Sequence, residues 1–304
     1  MKKYNGVLVP MITPFTKAHK IDHAGLEKML SKIIKEGCHP FVMGTTGEGL
    51  SILPEEAEDL ITTLVKFKSE EVMLYASVSD LNHQRMLSRS KKYAEIGVDV
   101  VVAHVPPQYP LSDRAILKWF ETLADQSPCP VMIYNMPGTT HMSVPLEVVD
   151  QLSHHPNIAG LKDSERDENR LKEALERWKD RSDFTHFIGW ASKSYEALKW
   201  GSDGLVPSSG NLFPKVYIEL YKAMQKGDEA TARELQAVSD SLGKLYQENR
   251  LLPDSLSALK VLLHSLNECD KYVLPPLQKL LEKDEEETIE RFQQYYANYK
   301  NKLN

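Results

Sequence analysis

The stretch Asn157-Ile158-Ala159-Gly160-Leu161-Lys162-Asp163-Ser164 runs apolar residues and a glycine straight into a lysine, with polar residues following. The pattern reads as a short buried strand that ends where the polar residues begin. A lysine held where a strand leaves an apolar core is partly desolvated. Loss of water disfavours the ammonium and lowers its pKa, so more of the side chain is free amine near neutral pH. A free amine beside a carbonyl forms a Schiff base. The plainer reading is that Lys162 caps the strand and reaches water along its aliphatic stem. The stretch alone does not separate the two.

Outward from it, short apolar and β-branched runs recur at Gly6–Ile12, Phe41–Gly44, Val72–Val78, Val98–Ala103, Pro130–Asn135, Phe184–Gly189 and Gly204–Pro207. Amphipathic helical patterns lie between them, at Asp22–Glu36, Pro54–Lys68, Leu81–Ile96, Ser112–Gln126, Pro145–Leu152, Glu165–Lys179, Ser192–Trp200 and Pro214–Lys226. The strand starts fall mostly about every 30 residues, the length of a βα unit in a parallel sheet. Eight such units predict an α/β fold of the (β/α)8 TIM-barrel type over an open doubly wound sheet. From about Gly227 the pattern is helical, through Tyr246, Ser255–Leu266 and Asp284–Asn301. The expected organisation is a catalytic barrel over residues 1–226 with a C-terminal helical extension over 227–304, and no low-complexity linker between them.

Composition narrows the function. The 304 residues are 41% hydrophobic and 26% charged, enough for a sizeable core. The net charge of −6 is made of interspersed acids and bases, which gives nucleic acid no basic surface to bind. Cys38, Cys129 and Cys269 are odd in number and far apart, so neither a disulfide framework nor a CxxC metal pair follows, and a reducing, cytoplasmic setting is expected. Lys2 and Lys3 precede Val7–Phe15, but Pro10 and Pro14 interrupt that run and argue against a signal peptide. No apolar run is long enough to span a bilayer, so no membrane partner is expected. His19 and His23 sit in what reads as loop, and adjacent His154 and His155 splay apart. No carboxylate or cysteine completes a metal site at usual spacing. The acidic run Glu282–Glu287 reads as a solvated helix start.

In a parallel barrel the chemistry sits where strands end, so the residues after each run carry the information. Gly44-Thr45-Thr46-Gly47-Glu48-Gly49 is a glycine-rich turn before a helix that starts with Pro54. Its backbone N–H groups can converge on an anion. It lacks the Gly-Lys-Ser/Thr of a phosphate loop and has no basic residue, so a carboxylate fits better, unless the glycines serve only the turn. Tyr134 ends the fifth run, where its hydroxyl is either a proton shuttle at the barrel mouth or the satisfied tip of a packed ring. Tyr109 lies in the proline-rich loop Val105–Pro110, a setting typical of interface aromatics.

Taken together these motifs resemble the pyruvate-dependent Schiff-base lyases, the family of dihydrodipicolinate synthase and N-acetylneuraminate lyase. The resemblance rests on Gly6 through Thr13-Pro14-Phe15, on Gly44-Thr45-Thr46-Gly47-Glu48, on Tyr134-Asn135 with Pro137, on Gly160-Leu161-Lys162 and on Gly204, and it spans about residues 4–225. It implies that Lys162 forms an imine with the ketone of pyruvate and that no cofactor or metal is needed. It implies that Tyr134 relays protons, that Thr45 bonds Tyr134, and that Tyr109 completes the relay from a neighbouring subunit of a homotetramer. Gly44, Thr46, Thr139, Ser164, Trp190, Val206 and Ser208 are the expected substrate-binding residues, with the N–H groups of Thr45 and Thr46 on the carboxylate.

Three departures bear on the substrate. Gln108 stands where the family often has the first tyrosine of a Pro-Tyr-Tyr pattern. Thr139 stands where dihydrodipicolinate synthases usually carry an arginine. Trp190-Ala191-Ser192-Lys193 stands where neuraminate lyases usually carry an acidic pair. The readings left open are a dihydrodipicolinate synthase-like lyase, a neuraminate lyase-like or 2-oxo sugar-acid aldolase or dehydratase, and a metabolite-binding member without turnover.

Overall fold

The computed structural model describes residues 2–303. Eight parallel strands close into one barrel in sequence order: β1 Gly6–Pro10, β2 His39–Val42, β3 Tyr75–Ser77, β4 Val100–Ala103, β5 Val131–Asn135, β6 Ile158–Asp163, β7 Thr185–Ile188 and β8 Gly204–Leu205. Gly6 pairs with Gly204 and Val7 with Leu205 to complete the ring. The alternation of strand side chains divides the core in two. Leu8, Phe41, Val100, Val102, Met132, Tyr134, Phe187 and Val206 fill the barrel interior. Val7, Val9, Val42, Val101, Val131, Ile133 and Leu161 face the surrounding helices in the larger cluster. Both faces are apolar, which is why the runs read as continuous rather than alternating.

The helices between strands start at polar caps. Asp22, Asn82, Ser112 and Asp167 accept backbone N–H bonds at the starts of α1 His23–Lys35, α3 His83–Ile96, α4 Asp113–Gln126 and α7 Glu168–Trp178. Proline opens α2 Pro54–Val65 and α9 Pro214–Gln225. The remaining connections are α5 Pro137–Thr140, α6 Leu146–Ser153 and α8 Ser194–Lys199.

Two boundaries differ from the sequence pattern for physical reasons. The third run is trimmed because Met73 N–H donates to His39 Nδ1 and Leu74 N–H to Asp99 Oδ2 instead of to a neighbouring strand. The seventh helix starts three residues late because Glu165 N–H is taken by the Asp163 side chain and Asp167 becomes the cap.

The C-terminal helices are α10 Glu229–Gln247, α11 Leu252–Ser265 and α12 Glu282–Leu303. They are wired to the barrel mouth. Tyr246 of α10 lies 2.7 Å from Ser208 Oγ, just past β8. Lys260 of α11 lies 2.5 Å from Glu48, with both side chains only 1% exposed. The same ammonium donates to the Tyr272 carbonyl at 2.7 Å and lies 4.2 Å from the centre of the Phe15 ring. Glu48 in turn accepts from Leu274 N–H at 2.7 Å.

Breaking this pair is expected to be costly, because the surviving charge stays buried without its partner. Lys260→Met should destabilise the fold by about 3–5 kcal/mol, and adding Glu48→Gln should restore much of that, since a buried pair is replaceable as a unit. Chemical denaturation of the two variants checks this: a neutral Lys260→Met, or a double variant no better than the single one, contradicts it. No helix among the described residues is long and apolar enough to cross a membrane.

Candidate active site

The site begins with register. Strands β5 and β6 pair with Tyr134 opposite Lys162 and Asn135 opposite Asp163. Neighbours across a parallel pair point to the same face, so Tyr134 and Lys162 both enter the barrel. Gly160 permits this path: a Cβ there would stand 2.3 Å from the Thr185 carbonyl oxygen.

Lys162 is 5% exposed. Its Nζ lies 3.7 Å from the centre of the Tyr134 ring and 4.7 Å from that of Phe41. Burial holds its pKa below the ordinary lysine range, and the neighbouring Tyr134 hydroxyl offsets this only in part. The lysine is therefore biased toward the neutral, nucleophilic amine. The Tyr134 hydroxyl lies 3.4 Å from Thr45 Oγ1. Lys162, Tyr134 and Thr45, distant in sequence, thus meet at the mouth.

Thr45 belongs to the turn that follows β2. Within it Gly47 N–H and Gly49 N–H donate to the Gly44 carbonyl and Glu48 N–H donates to that of Thr45. Thr13 Oγ1 donates to the Gly47 carbonyl at 2.7 Å. Among the described residues the N–H groups of Thr45 and Thr46 take no part in these bonds, which leaves them available to an anion. Gly49 is required by close approach, since a Cβ would fall 1.9 Å from the Met43 carbonyl oxygen. A Cβ on Gly44 would fall 2.9 Å from the Phe41 ring.

Behind the strand ends lies a network that the sequence reading missed. Asn135 Nδ2 donates to Asp163 Oδ1 at 2.8 Å, and Asn135 Oδ1 accepts from Val144 N–H at 2.9 Å. Arg170 donates to Asp163 Oδ2 at 2.9 Å and to the Val144 carbonyl at 2.8 Å. Asn135 and Asp163 are the residues next to Tyr134 and Lys162, so the network fixes the two strand ends that present the reactive pair. The Asn after Tyr134 was its only sequence signal. His104 was also missed. It lies two residues beyond the inward-facing Val102, a spacing that predicts an inward side chain, and its ring stands 6.0 Å from that of Tyr134.

The other expected residues are distributed around the mouth. Val206 lines the same interior cluster as Tyr134. Ser208 is held by Tyr246. Ser164 N–H donates to the Asn135 carbonyl, and its side chain occupies the space a Cβ on Gly189 would need. Thr139 Oγ1 donates to the Met136 carbonyl at 3.3 Å. Trp190 is half-buried, with Lys193 5.7 Å from its ring centre, but Lys193 is committed to Glu168 at 2.8 Å. Tyr109 is not brought to Tyr134 within the chain: it is 63% exposed and accepts a bond from Gln108 Nε2 at 3.2 Å. Cys38, Cys129 and Cys269 are buried free thiols. Among the described residues no three histidine, cysteine or acidic side chains converge as a metal site would require.

A closed barrel with a buried lysine at the mouth defines the class, and comparison with known proteins defines the family. Residues 3–294 match the model of the dihydrodipicolinate synthetase family. A 4-hydroxy-tetrahydrodipicolinate synthase of Methanospirillum hungatei is 27% identical over 301 residues, covering 97% of this chain and 99% of the relative. The dihydrodipicolinate synthase structure from Bacteroides thetaiotaomicron superposes with a TM-score of 0.90 at 25% identity, over 97% of this chain and 99% of that one. YagE, a prophage protein of the dihydrodipicolinic acid synthase family from E. coli K12 solved with pyruvate, gives the same TM-score and identity over 96% and 98%. The chain belongs to the dihydrodipicolinate synthetase family.

Proposed function

We propose that this chain is a Schiff-base-forming lyase or aldolase that acts on pyruvate or a related 2-oxo acid through Lys162. The observation that carries this is the neutral-biased Lys162 amine held against Tyr134, whose hydroxyl is in turn within reach of Thr45.

The N–H groups of Thr45 and Thr46 receive the carboxylate and place the ketone at Nζ. The amine lone pair attacks C2 and the carbonyl π pair moves to oxygen. Proton transfer through Tyr134 converts that oxygen to a leaving hydroxyl, and water departs as the nitrogen lone pair closes the iminium. The iminium draws off the electrons released when a proton leaves C3, giving an enamine that adds to an aldehyde or, in reverse, results from carbon–carbon cleavage. The scheme needs neither a metal nor a diffusible cofactor. A homotetramer arranged as a dimer of dimers belongs to the same proposal, with exposed Tyr109 available to an interface.

For the partner of pyruvate, Thr139 favours a hydroxylated 2-oxo acid over aspartate semialdehyde. An arginine fork would grip a second carboxylate bidentately, whereas the Thr139 hydroxyl is short, neutral and turned to the Met136 carbonyl. Loss of a charge-assisted bond of this kind is worth about 1.5–3 kcal/mol, roughly tenfold to a hundredfold in specificity. A panel of aldehydes and 2-oxo sugar acids, read as pyruvate release or consumption, should give the larger kcat/KM for a hydroxylated acid. A value for aspartate semialdehyde far above every sugar acid would reverse this assignment. Borohydride-trapped pyruvate with no turnover on any partner would favour a metabolite-binding member instead.

A further inference from the structure

We propose that His104 is the proton acceptor behind Tyr134, so that the relay is completed within one chain rather than by Tyr109 of a neighbouring subunit. The inference rests on the Schiff-base reading above.

The ring of His104 continues the inward row of Val100 and Val102 and stands nearly perpendicular to the Tyr134 ring, at 70° and 6.0 Å between centres. Its Nδ1 lies 2.8 Å from the Val105 carbonyl oxygen. A carbonyl only accepts, so Nδ1 carries the hydrogen and the neutral ring keeps its lone pair on Nε2. The ring is held on both sides of the main chain: His104 N–H donates to Ser79 Oγ at 3.0 Å, and Trp119 Nε1 donates to the His104 carbonyl at 3.3 Å. Burial, and to a lesser degree the Lys162 charge, keep the imidazole below its ordinary pKa. It is therefore a neutral acceptor at neutral pH.

Around it, β6 contributes Lys162, β5 contributes Tyr134, and β3 with the residue beyond it contributes the uncharged hydroxyls of Ser77 and Ser79. Tyr109, by contrast, is exposed and bonded sideways to Gln108.

The step balances. After amine attack the tetrahedral adduct carries an extra proton on nitrogen. That proton passes through Tyr134 and one bridging water to Nε2, giving imidazolium. The same path returns it to the adduct hydroxyl, the C–O bond breaks with its electron pair on oxygen, and water leaves.

The test is kinetic and uses the full chain. His104→Asn keeps an amide donor for the Val105 carbonyl and removes the titrating nitrogen. It should lower kcat roughly 10²-fold, the scale of a positioned acid–base group. It should still yield a borohydride-trapped pyruvate adduct on Lys162. The acid limb of the wild-type kcat/KM profile should vanish. The sign follows from the lowered pKa: the ring is neutral and active through neutral pH, and activity falls only on acidification below the ordinary value of about 6.5.

A wild-type rate with an unchanged acid limb overturns the proposal, as does a larger loss in Tyr109→Phe than in His104→Asn. Should His104→Asn not fold, NMR titration of the His104 ring in the wild type serves the same end, because its pKa must coincide with the acid limb. Absence of any adduct in the wild type is a different result and counts against the Schiff-base reading itself.

Discussion

Lys162→Met is expected to reduce turnover to background and to abolish trapping of pyruvate by borohydride, while the wild-type peptide carrying Lys162 gains one pyruvate-sized mass. The covalent route has no substitute for the amine, so the loss is that of the whole catalysed path rather than of one contact. The fold should persist. The Lys162 ammonium lies among the rings of Tyr134 and Phe41, and methionine fills similar space without a buried charge to solvate. A second buried lysine makes the experiment discriminating. Lys260 also has a pKa lowered by burial, but Glu48 opposes that shift and binds the ammonium directly. Its lone pair is occupied by the proton that the carboxylate retains, and it should not react. An adduct on Lys260, or on any residue but Lys162, removes the basis of the mechanism.

Tyr134→Phe should lower kcat by roughly 10²–10⁴ with the fold intact, the range of a positioned acid–base group. The substitution is narrow. The ring that packs edge-on against Phe41 at 6.4 Å and supports Lys162 remains, and only the hydroxyl facing Thr45 is removed. Steady-state kinetics with circular dichroism separates the outcomes. Loss of rate with unchanged spectra assigns the hydroxyl to chemistry, and a near wild-type rate makes Tyr134 a packing residue.

The barrel was legible in the chain because each strand is buried on both faces and each intervening helix on one. That constraint writes continuous apolar runs and 3.6-residue periodicity into the sequence, and the capping residues Asp22, Asn82, Ser112 and Asp167 mark where helices begin. The order of Thr45, Tyr134 and Lys162 was equally local, each lying at the end of its own run. What the sequence could not show was which side chains share a face. Between β5 and β6 the register slips by one residue: Val131 pairs with Ile158, but Met132 pairs with Gly160, skipping Ala159. Without that bulge Tyr134 would sit across from Leu161, and the reactive pair would not form. A one-residue slip exchanges the faces of a strand, and nothing in the local apolar pattern fixes it. The Glu48–Lys260 pair and the approach of His104 to Tyr134 are likewise contacts between segments far apart in the chain. They depend on barrel closure and the docking of α11, so only the tertiary structure decided them.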